Sequence, residues 1–289
     1  MLLITGVTGL TGRFMVNALR EAGYSGNIRC LIREHSDISW VTDNNVEFVK
    51  GDVTDVQSLI RVFEGIEGVI HLVNIRSAPE IIEACKVTGI NRVVIVTTTG
   101  IFSKYQQYSE EYKKLETMIL GCGLDYTIIR PTMIYGNHRD KNIHKLVKIV
   151  NKYPIVPVIG NGYGLMQPIF AKDLAGVISA AYTNPVSIKK AYNVAGKNPI
   201  SLKDIMCIIA KNLNKKRLFF NLPYSLALVG GYIGEIIPNG LINIERIQRL
   251  QEDKVFSYDE AAKDLGFSPV SFNEGIKLEI GTLKQSGII

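Results

Sequence analysis

Three glycines near the start of the chain have the spacing of a phosphate-binding turn. Arranged as G-x-x-G-x-x-G, they follow an apolar run at Leu2–Thr5 and precede a helical pattern that begins at Arg13. Residues without a Cβ atom let backbone N–H groups approach a pyrophosphate, and the helix dipole favours an anion there. The pattern predicts a dinucleotide-binding turn, although glycine-rich turns also serve close packing alone. The residues expected to contact the cofactor are Gly6, Thr8, Gly9, Leu10, Thr11 and Gly12.

The end of the second predicted strand indicates which dinucleotide is bound. In dinucleotide-binding folds an acidic residue at this point holds the 2′-hydroxyl of NAD, whereas a basic one suits the 2′-phosphate of NADP. Here Arg33 follows the strand, Ser36 offers a hydroxyl, and Arg13 is a second cation nearby. A guanidinium can hold a phosphate with two donors. The segment favours NADP, with NAD as the alternative if Arg33 is an ordinary surface charge and Glu34 faces the ribose.

Two further strand ends fit an adenine pocket. Asp52 and Val53 follow the third predicted strand, where a carboxylate can accept from the adenine amino group. Asp52 could instead cap the helix that begins near Asp55. Val73 and Asn74 follow the fourth predicted strand and are expected to line the cofactor.

Short β-branched runs alternate with helical patterns over the first 130 residues, and this alternation predicts a parallel sheet covered by helices on both faces. The predicted strands are Leu2–Thr5, Ile28–Ile32, Val46–Lys50, Gly68–Leu72, Arg92–Thr97 and Asp125–Arg130. The predicted helices are Arg13–Ala22, Val56–Phe63, Ala78–Thr88 and Gln106–Leu120. Ligand loops then lie at the carboxyl ends of the strands.

After Arg130 prolines and a glycine cluster break the chain into shorter pieces. Residues 1–135 are expected to form the dinucleotide-binding core, with 168–196 rejoining the sheet through a helix and a strand. Residues 136–167 and 197–289 would form a smaller cap on the substrate side, mostly helical from Ser201 onward. The apolar stretch Leu222–Ile237 is interpreted as a core helix, with an interfacial helix as the alternative.

Composition and charge indicate which general class of protein this sequence encodes. The chain has 289 residues, is 46% hydrophobic and carries a net charge of +6. It contains no apolar run of the ~18–20 residues that span a bilayer. A strand that begins at the first residues leaves no place for a basic leader, so a cytoplasmic protein is expected. The scattered cysteines are predicted to be reduced core residues, and no metal site is expected; they are Cys30, Cys85, Cys122 and Cys207.

Lysines recur at helical spacing between residues 139 and 152, at Lys141, Lys145, Lys148 and Lys152. A solvated face of an amphipathic helix is the favoured interpretation. The alternative is attraction of an anionic substrate or surface. Nucleic-acid binding is not expected, because no aromatic stacking run or basic module accompanies these charges.

Several segments together resemble the short-chain dehydrogenase/reductase superfamily in its extended and atypical branches, similar to NAD-dependent epimerases and dehydratases. The chain also resembles the dinucleotide-binding accessory subunit of mitochondrial complex I and NmrA-like proteins. The segments that carry this resemblance are Gly6–Gly12, Gly51–Asp55, Val69–Leu72, Val93–Thr99, Tyr126–Gly136, Gln167–Ala175, Val255–Tyr258 and Ala262–Pro269. The resemblance implies an α/β fold with a Rossmann-type, doubly wound parallel sheet and a smaller, mostly helical C-terminal cap.

The family's chemistry uses a Ser or Thr after the fifth strand and a Tyr-x-x-x-Lys pair whose ammonium assists the tyrosine. The resemblance places Thr98 at the first position and Tyr108 at the second. Tyr112 then stands at the lysine position, and Lys113 lies about 100° further round the helix. Proton transfer by Tyr108 would therefore be impaired. Alternatively, Tyr108 and Tyr112 only pack against cofactor or core.

Further site residues follow from the resemblance. Thr97, Pro131 and Thr132 are expected to line the cofactor, with Thr132 beside its nicotinamide. Tyr135 and Gln167 are expected to contact substrate, although Tyr135 could equally pack below the site. Arg130 is interpreted as ordering the loop after the sixth strand rather than touching substrate.

The function implied is an NAD(P)-dependent oxidoreductase or epimerase acting on a nucleotide sugar or similar carbonyl compound. One alternative is an NADP(H)-binding sensor or structural/assembly subunit without turnover. Another is an atypical reductase of a hydrophobic or quinone-like substrate. A homodimer through the helices at 78–88 and 106–120 is expected from the family.

Overall fold

A computed structural model describes residues 1–105, 107–140, 142–160, 162, 164–228, 244–250 and 252–289. The strands are β1 Leu2–Thr5, β2 Ile28–Ile32, β3 Val46–Lys50, β4 Gly68–His71, β5 Arg92–Val96, β6 Asp125–Pro131, β7 Ile134–Tyr135, β8 Ile155–Ile159, β9 Leu165–Met166, β10 Ile169–Phe170, β11 Lys190–Val194, β12 Ile200–Ser201 and β13 Leu218–Leu222. The helices are α1 Gly12–Glu21, α2 Val56–Val62, α3 Ala78–Thr88, α4 Ser109–Leu120, α5 Ile143–Lys152, α6 Ala171–Thr183, α7 Leu202–Asn212, α8 Ile244–Arg249, α9 Asp259–Leu265 and α10 Phe272–Gln285.

The central sheet is parallel, with strand order β11-β6-β5-β4-β1-β2-β3. The order reverses between β1 and β4, and ligands in such sheets bind at the carboxyl ends of the strands beside this reversal. The glycine turn follows β1, and the loop after β4 lies next to it. The fold therefore brings together the segments that sequence reasoning selected, and the prediction of a Rossmann-type sheet is confirmed.

Alternate residues of the sheet feed two separate cores, as the pleat of a strand requires. Leu3 and Val69 pack in the core under α2, α3 and α4. Leu2, Ile4 and Ile70 pack in the core under α1 and α6. Both faces of the sheet are therefore covered, which explains why its strands are nearly continuous in apolar residues.

A third core lies in the smaller lobe, where β8 and β13 pair in parallel beside α5, α7 and α10. Beside the helices expected after Ser201, Leu218–Leu222 forms the strand β13. β13 pairs in parallel with β8, a contact that local periodicity does not show. The apolar stretch Leu222–Ile237, interpreted above as a core helix, lies for its larger part (residues 229–237) outside the described residues.

The structure also describes the predicted basic helix and the four cysteines. The basic amphipathic helix is confirmed as α5, with Lys145, Lys148 and Lys152 exposed, while Lys141 lies outside the described residues. Cys207 is exposed, so its assignment to the core is wrong, whereas the other three cysteines are buried. In the described part of the chain, no helix is long and apolar enough to cross a membrane.

Candidate cofactor-binding and catalytic site

The glycine turn between β1 and α1 presents unpaired donors at a helix N-terminus. Gly6 has a φ of +79°, and a Cβ at Gly12 would lie 2.3 Å from the Gly6 carbonyl oxygen. The Gly9 N–H donates to the Gly6 carbonyl at 3.0 Å. In contrast, the N–H groups of Leu10, Thr11 and Gly12 have no acceptor among the described residues. Three convergent donors at the positive end of α1 are suited to a pyrophosphate.

Cations flank this turn from two sides. The Arg139 guanidinium donates to the Thr8 carbonyl at 3.1 Å. Arg13 forms an ion pair with Asp37 at 2.7 Å, and its guanidinium lies 5.3 Å from the centre of the Trp40 ring. Arg139 is 131 residues away in sequence from the turn, and no sequence signal pointed to this contact.

The loop after β2 leaves Arg33 as the exposed cation of the predicted ribose site. Its backbone N–H donates to the Ser36 hydroxyl at 3.1 Å, so the two predicted residues lie together. Glu34 forms an ion pair with Lys50 on the neighbouring strand. That pair engages the carboxylate which would otherwise favour NAD.

Asp52 shapes the loop after β3 rather than capping the next helix. Its Oδ1 accepts from the Thr54 N–H and hydroxyl, both at 2.9 Å. These bonds lower the pKa of the Asp52 carboxyl, with a further contribution from the charge of Arg33. Asp55 caps α2 by accepting from the Gln57 N–H, so the interpretation of Asp52 as the cap is wrong. Val53, which follows Asp52 in this loop, packs against the first core.

The β1 and β4 ends are tied together by a buried histidine. His71 Nδ1 bonds the Thr5 hydroxyl at 2.8 Å, and Nε2 bonds the Ser77 hydroxyl at 3.1 Å. Burial lowers the pKa of His71 to about 4, so the ring is neutral near pH 7. A Cβ at Gly6 would lie 3.1 Å from Val73 Cγ2, which places Val73 against the glycine turn.

Two tyrosines occupy the positions at which the dyad was expected. Tyr112 on α4 is 8% exposed, and its hydroxyl accepts from the Asn74 amide at 3.2 Å. Tyr108, just before α4, is 45% exposed and stacks on Tyr112 with ring centres 6.2 Å apart. Lys113 forms an ion pair with Glu110 at 2.6 Å on the exposed side of the helix. The structure therefore directs Lys113 away from the tyrosine pair.

Arg76, which sequence reasoning missed, covers both tyrosine rings. Its guanidinium carbon lies 4.5 Å from the centre of the Tyr108 ring and 5.5 Å from that of Tyr112. Two nitrogens of Arg76 donate to the Glu111 carboxylate, both at 2.7 Å. A cation thus lies against the tyrosines, but a carboxylate largely compensates its charge.

A buried carboxylate organises the ends of β5 and β6. Glu116 accepts from the Thr97 hydroxyl at 2.6 Å and pairs with Arg130 Nη2 at 2.7 Å. This network supports the interpretation that Arg130 orders the loop. Thr98 lies beside it, where its hydroxyl oxygen accepts from the Gly100 N–H at 3.0 Å and begins a 3₁₀ turn at Thr99–Phe102.

The strand-end residues Pro131 and Thr132 are fixed by hydrogen bonds. The Pro131 carbonyl accepts from the Thr99 hydroxyl at 3.2 Å. The Thr132 N–H donates to the Val194 carbonyl at 3.0 Å, which joins the β6 end to the β11 end. These contacts hold the segment at the carboxyl edge of the sheet, where a nicotinamide would bind.

The two residues predicted to contact substrate, Tyr135 and Gln167, are buried. Tyr135 is 1% exposed, with its ring centre 5.6 Å from that of Phe170 and 5.2 Å from that of Phe272. The packing alternative for Tyr135 is therefore the better description. Gln167 donates to the Gly196 carbonyl at 2.8 Å and accepts from the Phe256 N–H at 3.0 Å. Its amide joins three chain segments and is buried, which favours a structural role for this side chain.

The C-terminal lobe reaches over the loop after β5. Glu252 accepts from the Ser103 hydroxyl at 2.6 Å and from the Lys104 N–H at 2.7 Å. The Phe102 and Phe256 rings lie with their centres 5.7 Å apart. Segment 252–256 therefore borders the candidate site, a contact that crosses about 150 residues of sequence and that sequence reasoning missed.

Comparisons with known proteins agree with this geometry. An NAD(P)H-binding family model matches residues 6–151, and the model of the NAD dependent epimerase/dehydratase family matches residues 115–195. N-acetyl-alpha-D-glucosaminyl-diphospho-ditrans,octacis-undecaprenol 4-epimerase of Escherichia coli O157:H7 is 22% identical over 65% of this chain and 67% of its own length. Bovine sterol-4-alpha-carboxylate 3-dehydrogenase, decarboxylating, is 23% identical over 77% of this chain and 72% of its own length.

Among solved structures, UDP-glucuronic acid 4-epimerase from Bacillus cereus, in complex with UDP-glucuronic acid and NAD, superposes with a TM-score of 0.79. It is 17% identical, and the match covers 99% of each chain. That likeness concerns the fold, while the family model spans half of this chain and includes the glycine turn. The chain belongs to the NAD(P)-binding epimerase/dehydratase family.

Proposed function

We propose that the protein binds NADP(H) at the glycine turn, beside the carboxyl ends of β1 and β4. The observation that carries this proposal is the set of unpaired N–H groups of Leu10, Thr11 and Gly12 at the start of α1. The exposed guanidinium of Arg33, with Ser36 beside it, suits the 2′-phosphate. Glu34, the acidic residue that would suit a ribose 2′-hydroxyl, forms an ion pair with Lys50, which reduces the net negative charge at that point.

The reaction we propose is an oxidation–reduction or epimerisation of a nucleotide sugar or similar carbonyl compound. The family match and the printed activities of the epimerase relatives support this class. When bound, the nicotinamide accepts or supplies a hydride. In this proposal Thr98 and Tyr108 contact the substrate oxygen, while the Asn74 amide donates to the Tyr112 hydroxyl.

We expect turnover that depends on proton transfer by Tyr108 to be slow. The position that holds a lysine in the family is Tyr112, and the nearby Arg76 is paired with Glu111. General acid–base catalysis contributes about 10²–10⁴-fold, and much of this contribution is lost without an assisting cation. If acid–base catalysis is lost completely, the protein binds the cofactor without turnover, as a sensor or assembly subunit would; this is the alternative.

A hydrophobic carbonyl substrate is the second candidate, favoured by aromatic side chains around the site. Phe102, Tyr105 and Tyr108 are all exposed large side chains beside the loop after β5. The E. coli relative is named for an undecaprenol-linked sugar and the bovine relative for a sterol. An apolar substrate portion would cover these rings on binding.

The test is a titration of NADPH and NADH followed by a screen of carbonyl substrates. Nucleotide sugars, an isoprenoid-linked sugar and a quinone are supplied with each cofactor, and cofactor absorbance and sugar products are followed. Tight NADPH binding with slow conversion of a sugar supports the proposal. Conversion of the quinone alone favours the second candidate, and binding with no conversion favours the sensor. We also propose that the protein is cytoplasmic and that it forms a homodimer through α3 and α4.

A further inference from the structure

Away from the cofactor site, one face of the β8–β13 sheet is apolar and exposed. In this parallel pair Leu218 lies opposite Ile155. The neighbouring residues Val156 and Val158 point the other way and are buried in the third core. Ile155 is 55% exposed, Leu218 62% and Phe220 44%. We refer to the exposed side as the β8–β13 face; its residues are Ile155, Pro157, Leu218 and Phe220.

Lysines gather at one end of this face. Lys148 and Lys152 are exposed on the last turns of α5, which leads directly into β8. Lys215 and Lys216 precede β13 and are also exposed. The Lys215 ammonium donates to the Asn151 carbonyl at 2.8 Å, which draws the two segments together. We call these four lysines the cationic rim.

The rim lies in a part of the sequence without acidic residues. Neither residues 141–172 nor residues 205–234 contain an aspartate or a glutamate. Elsewhere in the structure some exposed lysines have acidic partners, such as Glu110 for Lys113 and Asp264 for Lys190. Both segments that build this surface therefore combine apolar and positively charged side chains without compensating negative charge of their own.

We propose that the β8–β13 face and its cationic rim dock the protein on the surface of an anionic lipid bilayer. Burial of aliphatic and aromatic side chains at the boundary between headgroups and acyl chains is favourable in free energy. Lysines beside them are attracted by anionic headgroups. This inference does not depend on the proposed reaction, because the surface shares no residue with the cofactor site.

The charge of the rim argues against two other occupants. A symmetric contact with a second copy would bring both cationic rims to one interface, and neither segment that builds this surface carries an acidic residue to compensate them. A nucleic acid needs cations across the contact surface to neutralise phosphates, whereas the centre of this face is apolar. A lipid surface satisfies the apolar centre and the basic edge together.

The test is cosedimentation of the full chain with vesicles of phosphatidylcholine alone and of phosphatidylcholine mixed equally with phosphatidylglycerol. We expect binding to the mixed vesicles only, weakened by salt. Each cation near such a surface contributes about five-fold in affinity. The triple variant Lys148→Gln/Lys152→Gln/Lys216→Gln should therefore bind more than about ten-fold less tightly. The double variant Leu218→Ser/Phe220→Ser should lose about ten-fold or more, because it removes the inserted side chains.

Matched controls carry the same changes beside the central sheet. Lys86→Gln/Lys114→Gln/Lys263→Gln removes three exposed lysines, and Val87→Ser/Val186→Ser removes two exposed apolar side chains. Both should bind like the parent. Absence of binding to mixed vesicles, or equal losses in the face and control variants, would overturn the proposal. Concentration-dependent association that the face variants abolish, measured by light scattering, would assign the face to a second copy instead. Cofactor titration of each variant reports on the proposed function separately.

Discussion

The Tyr112 hydroxyl accepts a hydrogen bond from the Asn74 amide at 3.2 Å. This bond joins α4 to the loop after β4, at the helix position where the family carries a lysine. With its ring buried and its hydroxyl bonded, Tyr112 is a fixed part of the site wall. The position at which the resemblance expects a lysine therefore holds a tyrosine whose hydroxyl is already engaged.

This arrangement predicts a small role for the Tyr108 hydroxyl. In Tyr108→Phe, kcat for any accepted substrate should fall by less than about ten-fold, because no ammonium assists proton transfer. Steady-state kinetics with saturating cofactor checks this, and Tyr105→Phe is the matched control on an exposed ring. A hundred-fold fall with unchanged cofactor affinity would contradict this expectation and restore the standard mechanism.

Tyr112→Lys is the complementary substitution, and we expect little gain in kcat from it. The new ammonium would lie near the Arg76 guanidinium, which is 5.5 Å from the Tyr112 ring centre, and like charges repel. Steady-state kinetics with saturating cofactor measures kcat of this variant, and thermal unfolding confirms that it is folded. A large gain would show that the scaffold still positions a functional lysine.

Cofactor preference should depend on Arg33. A bidentate charged contact contributes on the order of 1.5–3 kcal/mol, which is about ten- to a hundred-fold in affinity. In Arg33→Ala the affinity for NADPH should fall by this factor while that for NADH stays the same. Calorimetric titration measures both, with the exposed Arg61→Ala as control. A parent protein that prefers NADH would refute the assignment.

A buried carboxylate in the smaller lobe predicts a pH dependence of stability. Glu279 on α10 is fully buried, and burial raises the pKa of its carboxyl to about 10, with the charge of Asp140 adding to the effect. The unfolded chain deprotonates near the ordinary value, so this group's contribution to stability declines as pH rises from about 4.5 towards 10. Glu279→Gln should therefore raise Tm relative to the parent at about pH 8, and by less at about pH 5.

Glu274 on the same helix is the control for this experiment. Hydrogen bonds from the Ser271 hydroxyl and N–H lower the pKa of Glu274, so ionisation of this carboxylate favours the folded state above its unfolded pKa. Glu274→Gln should lower Tm at about pH 8, the opposite sign to Glu279→Gln. A Tm difference for Glu279→Gln that is the same at both pH values would rule out titration of the buried carboxyl.

Local sequence patterns predicted the central sheet well because its strands are short apolar runs bounded by turn residues. β1, β2 and β3 have the predicted bounds, and the glycine turn lies where its spacing required. β13 was not predicted because, among the described residues, the strand it pairs with is β8, about 60 residues earlier. A five-residue apolar run shows no period that distinguishes it from a buried helix.

Some residues of the candidate site could be placed from the sequence, and others could not. Residues that follow a strand, such as Arg33 and Asn74, could be placed from the sequence because a parallel sheet fixes where strand ends lie. Tyr135 could not be assigned, since the phenyl rings that enclose it come from β10 and α10. Arg76 over Tyr108 depends on how the loop after β4 meets α4, and no spacing in the sequence encodes that contact.

The measurement that tests the account most directly is NADPH binding by the parent and by Gly9→Val, followed by nicotinamide fluorescence. A Cβ at Gly9 would meet only the Gly6 carbonyl, at 3.1 Å, so this turn position tolerates a side chain better than Gly12. The valine would project where the pyrophosphate is held. Gly281→Val on α10 is the control, because a Cβ there meets nothing within 4 Å. We predict saturable binding by the parent and the control, and a loss of more than about ten-fold in folded Gly9→Val. Equal affinity in folded Gly9→Val, or no saturable binding of NADPH or NADH by the parent, would contradict the assignment of the glycine turn as the cofactor cradle.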